Sequence, residues 1–233
     1  MIAETYDGVL NEVNARHVTA AHVLSAINGA FDQPVQKGSA GGGTGMICYE
    51  FKGGTGTSSR AVRIGDRPFS IGVLLQANHG SLDWLTVLGE SVGRQMQSDR
   101  LMDRETGSII VIVATDLPMR PNQLERLARR ASIGIGRSGT PGGASSGDIF
   151  LAFSTANPQK TPGRRPAFSA LTHINDDPFD PVYLAAVEAT DEAIVNALVA
   201  ARDTSPFKPP GRMCKAVFCN ELMRLLRKAG KCA

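Results

Sequence analysis

The segment ETGSIIVIVATD, residues 105–116, sets a Gly-Ser pair at the mouth of a short, β-branched apolar run. A serine there presents its hydroxyl at the entrance of a buried sheet. Gly107 offers the least steric obstruction to attack on its own carbonyl, and it tolerates the strained dihedrals that hold a peptide bond in a reactive conformation. Attack by Ser108 Oγ on the Gly107 carbonyl carbon would exchange the peptide bond for an ester. Water would then cleave the ester and leave a new α-amine on Ser108. The reference pKa of such an amine, about 7.7 to 8.0, suits a general base near neutral pH. One residue would supply both nucleophile and base. A serine that merely starts a strand has the same local sequence, and spacing alone favours that plainer reading.

Other chemistries have less support. GGGTGM and KGGTGTSSR are glycine-rich, but neither forms GxxxxGK[ST] nor GxGxxG between a strand and a helix, and both read as turns. His17, His22, His79 and His173 lack metal-ligand spacing, so no metal is expected. No GxSxG elbow is present. The four cysteines, Cys48, Cys214, Cys219 and Cys232, match no CxxC or Cys/His zinc pattern and are read as free thiols.

The elements that must position these residues follow from periodicity. Val9 to Phe31 carries apolar residues at roughly helical spacing, with Asp7 ahead of the first turn, which predicts a helix with one buried face. Extended runs are expected at Met46 to Phe51 and Ala61 to Ile64, paired as a hairpin around the loop KGGTGTSSR. FSIGVLLQAN (69–78) and SIIVIVAT (108–115) read as core strands covered on both faces. Pro121 opens a helix through LERLARRASIGIG, a glycine-serine loop (GTPGGASSGD) feeds a strand at Ile149 to Ser154, and helices are expected at Pro181 to Arg202 and Ala216 to Lys228. The class is α/β; periodicity leaves a doubly wound sheet and a layered sandwich both open.

The chain of 233 residues, 42% hydrophobic and 20% charged, is long enough for one core and reads as a single domain. Its 25 Lys+Arg and 22 Asp+Glu give +3, far from the basic field that nucleic-acid binding needs. No apolar run reaches membrane-span length, and MIAETYDGVLNEV carries acids where a signal peptide carries Lys or Arg. A cytoplasmic location is the expectation, or a periplasmic one if a preceding segment carried a signal.

GSIIVIVATDLPMRPNQLERLARRASIGIGRSG followed by SSGDIFLAFSTAN closely resembles the β-subunit start of the DmpA-type aminopeptidases, the L-aminopeptidase/D-esterases and β-peptidyl aminopeptidases. ETYDGVLNEV, KGGTGTSSR and LLQANHG are also similar to that family, in the same order. The resemblance implies a four-layer αββα sandwich of the DmpA and ornithine acetyltransferase type, similar in layering to N-terminal nucleophile hydrolases. It also implies a serine aminopeptidase without cofactor, acting on a small peptide, amino-acid amide or ester. Self-cleavage would divide the chain into 1–107 and 108–233, and a homotetramer of αβ units is expected. Relatives carry a segment ahead of ETYDG, so the chain is expected to begin inside the fold.

By the same resemblance Ser108 is the nucleophile and Gly107 the residue before the processed bond. Tyr6 and Asn78 stabilise the oxyanion, a task for which a phenol O–H and an amide N–H₂ are suited as neutral donors. Ser146 and Asp148 orient the nucleophile and its amine, with Asp standing where some relatives use Glu. Glu4 is where a carboxylate would receive the substrate's ammonium. Two rival readings are an acyltransferase of the ornithine acetyltransferase type, whose nucleophile is threonine, and a non-catalytic remnant serving as an interaction module.

Overall fold

Along RPFSIGVLLQA every second side chain from Phe69 to Leu75 is large and apolar, and the resulting strand is the centre of the molecule. In the computed structural model, which describes residues 3–102, 104–158, 168 and 170–232, β1 is Ile47–Cys48, β2 Phe51–Lys52, β3 Gly54–Ile64, β4 Arg67–Ala77, β5 Ile110–Thr115 and β6 Ile149–Ser154. The helices are α1 Ala20–Asn28, α2 Pro121–Arg129, α3 Ala131–Arg137, α4 Phe179–Val199 and α5 Cys219–Lys228. The last four strands form one sheet in the order β3-β4-β5-β6, with β3 and β5 antiparallel to β4 and β6 parallel to β5.

Phe69, Ile71, Val73, Leu75 and Ala77 share one face of β4 and are buried with Val111 and Val113 of β5. Helices pack on that face. Gly56 of β3 meets α4 so closely that a Cβ would stand 2.0 Å from the Ala193 carbonyl oxygen, and the Ala185, Ala186, Ala189, Ala193 and Ala197 stripe of α4 permits the approach. Arg60 of β3 ties the same helix through Glu188 at 3.2 Å and Glu192 at 2.6 Å. The opposite face, with Leu74, Ile110, Ile112, Ala114 and Phe153, is only partly covered.

Several expectations are corrected. Only Ala20–Asn28 and a 3-10 turn at Val13–Ala15 are helical within the predicted Val9–Phe31 helix, and no α1 residue is buried. Asp7 does not start it. Asp7 closes a turn instead, its carbonyl accepting from Leu10 and Asn11 and its carboxylate from Asn11 Nδ2 at 2.7 Å. The helix begins at Thr19, whose backbone N–H donates to His22 Nδ1 at 3.1 Å. KGGTGTSSR is strand rather than loop: its glycines mark close backbone approaches within β3, and the hairpin turns at Gly65-Asp66. A second, tighter hairpin joins β1 to β2 through Tyr49 and Glu50, both at positive φ (51° and 66°), as a primed turn requires. The core strands are buried on one face, since the described residues supply helices to one side only. The predicted β6 has the observed bounds, the single helix expected from Pro121 through LERLARRASIGIG is two, α2 and α3, that meet at Arg130, and α4 and α5 differ from expectation by two or three residues at most ends.

Candidate active site

Strand register gathers the candidate residues at one edge of the sheet. Gln76, Ile110 and Ile149 are neighbours across β4, β5 and β6. Asn78 lies two residues past the first, Ser108 two before the second and Asp148 one before the third. The antiparallel β4–β5 pairing and the parallel β5–β6 pairing therefore bring one chain exit and two chain entries to the same place.

Thr5, on the extended segment before the Asp7 turn, links them. Asn78 Nδ2 donates to Thr5 Oγ1 at 2.7 Å and to the Tyr6 carbonyl at 2.8 Å. Ser108 Oγ donates to Thr5 Oγ1 at 3.2 Å, and Thr5 Oγ1 donates in turn to the Ser108 carbonyl at 3.1 Å. On the far side, Asp148 Oδ1 accepts from the Ile109 N–H at 3.1 Å and from Ser146 Oγ. Ser108 is thus framed between Thr5–Asn78 and Ser146–Asp148.

Gly107 is buried against the Asn78–His79 backbone, where a Cβ would stand 1.8 Å from the Asn78 carbonyl oxygen. No side chain fits. The need for glycine before the nucleophile is one of space, beyond the freedom of dihedral that its type suggests. Glu105, two residues earlier, accepts from the Gly80 N–H at 3.1 Å, so the chain entering Ser108 is pinned to the turn that follows Asn78. A small cleft of about 60 Å³ runs past Asn78, His79, Gly80, Glu105 and Gly107. A smaller one on the other side is lined by Tyr6, Asp7, Gly45, Asn78 and Gly107, so the Gly107–Asn78 contact separates the two.

Tyr6 accepts from Asn78 through its main-chain carbonyl, its ring lies over Gly8, and the residue is 49% exposed. Glu4 is exposed and lines neither cleft. The structure therefore brings Ser108, Gly107, Asn78, Ser146 and Asp148 together, puts Tyr6 in the smaller cleft beside Asn78 and Gly107 with its ring against Gly8, and leaves Glu4 exposed outside both clefts. No group of three His, Cys, Asp or Glu side chains that could hold a metal occurs among the described residues.

Three residues beside the site were not singled out from the sequence. Thr5 sits inside the ETYDG motif and had only its position to announce it. Lys52 is fully buried, and burial pushes its ammonium down to about 8. His79 is buried too; burial holds it at about 4, opposed by the charge of Asp148, and its Nε2 has no partner. Its neighbour Cys48, with Sγ 3.8 Å from His79 Nδ1, is pushed up to about 12 by burial and stays a thiol. Near neutral pH His79 and Cys48 are therefore both uncharged.

Comparison with known proteins extends over this whole arrangement. The sequence model of peptidase family S58 matches residues 1–209. The β-peptidyl aminopeptidases BapA of Sphingosinicella microcystinivorans and of Sphingosinicella xenopeptidilytica are 45% and 40% identical, over 86% of this chain and 54% and 53% of their own. The L-aminopeptidase D-Ala-esterase/amidase of Ochrobactrum anthropi, described as a prototype of the serine aminopeptidases and a variant of the Ntn-hydrolase fold, superposes with a TM-score of 0.91. Identity is 51%, over 98% of this chain and 62% of that one. A β-aminopeptidase of Burkholderia sp. superposes with a TM-score of 0.85 at 42% identity, over 97% and 63%. The chain spans about half the length of the curated relatives it matches. Its fold is accordingly α/β of the Ntn-hydrolase type, of which the described residues form a four-stranded sheet with its helical layer and a two-stranded hairpin.

Proposed function

The chain belongs to peptidase family S58, and from that premise we propose that it is a self-processing serine aminopeptidase with Ser108 as nucleophile. The observation that carries this reading is the Ser108 environment: a hydroxyl next to a sterically obligatory glycine, bonded to Thr5, with Asn78 and Asp148 on either side. Ser108 Oγ attacks the Gly107 carbonyl, the peptide nitrogen leaves as the Ser108 α-amine, and water hydrolyses the resulting ester to free the Gly107 carboxylate. The two products are 1–107 and 108–233.

In the processed protein the Ser108 amine takes the hydroxyl proton as Oγ attacks the first carbonyl of a substrate with a free amino terminus. Asn78 Nδ2, and Tyr6 once its phenol swings off Gly8, donate to the oxyanion. An acyl-enzyme forms and the amino-terminal residue is released by water activated through the same amine. Asp148, held by Ser146, keeps the amine in place, and Glu4 at the rim receives the substrate's ammonium. Relatives named for β-peptidyl and L-amino substrates support peptides, amides and esters as the substrate class. A homotetramer of αβ units is part of this reading, as is a cytoplasmic location; no helix among the described residues is long and apolar enough to cross a membrane.

The test is intact mass under denaturing conditions for wild type and Ser108→Ala. Wild type should give two fragments divided between Gly107 and Ser108, and the variant one uncut chain. A wild-type chain that stays whole, or a variant that is cut, removes Ser108 from the role.

A further inference from the structure

Lys52 is an ammonium with 0% exposure and no ion pair among the described residues. Its Nζ donates to three backbone carbonyls, Gly43 at 2.7 Å, Met46 at 3.0 Å and Gly53 at 2.9 Å. Burying a cation among neutral acceptors is expensive, and an apolar or neutral side chain would fill the same place at less cost. The charge has a route to the site. The carbonyl of the Met46–Ile47 peptide unit accepts from Lys52, and the N–H of that same unit donates to Asn78 Oδ1 at 2.8 Å. Asn78 Nδ2 then donates onward to Thr5 and Tyr6.

Each bond in such a series polarises the next, and the low local dielectric enhances the effect. A positive charge on the Met46 oxygen makes the Ile47 N–H a stronger donor. A stronger bond to Asn78 Oδ1 makes the Nδ2–H groups stronger donors in turn. We propose that Lys52 is a positioning residue for the oxyanion site: its charge, passed through the Met46–Ile47 peptide unit, aims the Asn78 amide and strengthens its donors. The same ammonium fixes the Gly43 carbonyl of the 3-10 turn Gly41–Gly45, and Gly45 packs under Asp7 and Asn11. The segment that carries Thr5 and Tyr6 therefore rests on a turn that Lys52 also holds. The inference relies on the reading of Asn78 given under Proposed function.

Turnover of an amino-acid p-nitroanilide should be measured with wild type, Ser108→Ala, Lys52→Arg, Lys52→Gln and Lys52→Met, with the folded fraction of each taken from circular dichroism. Charge, rather than hydrogen-bond donation alone, is the variable. Lys52→Gln and Lys52→Met should lose about 10- to 100-fold in kcat with KM within about twofold, while Lys52→Arg keeps most of the rate. Lys52→Gln with wild-type kcat, or losses that follow the folded fraction, would overturn the proposal. Activity that survives Ser108→Ala would instead remove the nucleophile assignment, so the two failures are distinguishable.

A second measurement needs neither turnover nor a Lys52 variant. In isotope-labelled Ser108→Ala, the Ile47 amide and the Asn78 side-chain amide should shift with the Lys52 side-chain carbon as pH passes through about 8. The thiols that face Lys52, Cys48 and Cys214, are pushed up to about 12 and about 11, and the carboxylates facing those thiols are Glu105 and Asp203. His79, at about 4, lies well below the window. Amide signals that stay fixed while Lys52 titrates would overturn the coupling.

Discussion

Two predictions belong to single residues. The first concerns Gly107, where a methyl group would intrude on the Asn78 carbonyl oxygen at 1.8 Å. Gly107→Ala should destabilise the chain by about 1 to 3 kcal/mol through overpacking and slow self-cleavage at least about tenfold, because Asn78 must move. Thermal unfolding and a time course of intact mass check both, and processing at the wild-type rate would show that the contact does not matter. The second concerns His79. Its ordinary value is 6.5 and burial lowers it to about 4, so as pH falls the unfolded chain takes up this proton first. Its neutral form stabilises the fold fully above about 6.5, and that contribution is lost between about 6.5 and 4, by about 3 kcal/mol. Urea unfolding at pH 7, 5 and 4 should show the slope, and His79→Phe should flatten it. Of these two residues only Gly107 was legible in advance. Its neighbour Ser108 drew attention to it, whereas of His79 the sequence says only that it lacks metal-ligand spacing, and its burial is a property of the fold.

At the scale of elements, legibility followed the range of the forces involved. β6 and the start of α2 depend on local signals, a β-branched run and Pro121 at the first helical position, and both stand where those signals put them. The first helix shows the converse. Its 3.6-residue periodicity is real, but Val18, Leu24, Ile27 and Phe31 are all exposed, and a nine-residue helix without a packed face has little to sustain it. Replacing Leu24 by Glu and Ile27 by Lys together should change the unfolding free energy by less than about 0.5 kcal/mol. In the same urea series Leu75→Ala, at 1% exposure in β4, should cost about 2 to 5 kcal/mol. Comparable losses from the two changes would mean that α1 packs against the core in solution. β3 was misread for a related reason. Glycines at 54 and 56 suggest a turn, yet both are required by backbone atoms of Gly38 and Ala193 from distant parts of the chain.

For the whole molecule, the amino-acid order by itself determined the α/β class and the order of most elements, and it offered Gly107, Ser108, Asn78, Ser146, Asp148, Tyr6 and Glu4 as candidates. These rest on short-range composition and on motifs that a resemblance can carry across a family. Tertiary structure alone decided which of the candidates meet. Register across β4, β5 and β6 joins residues 30 to 70 positions apart in sequence, and no local preference encodes that pairing. The fold also added Thr5 as the bridge between Asn78 and Ser108, and it made Lys52 an internal cation, because hydrogen-bond partners and burial exist only once distant segments are packed. Tyr6 and Glu4 mark the remaining difference: sequence similarity names them, but both are exposed, and only Tyr6, with its ring against Gly8, lines a cleft beside Asn78 and Gly107.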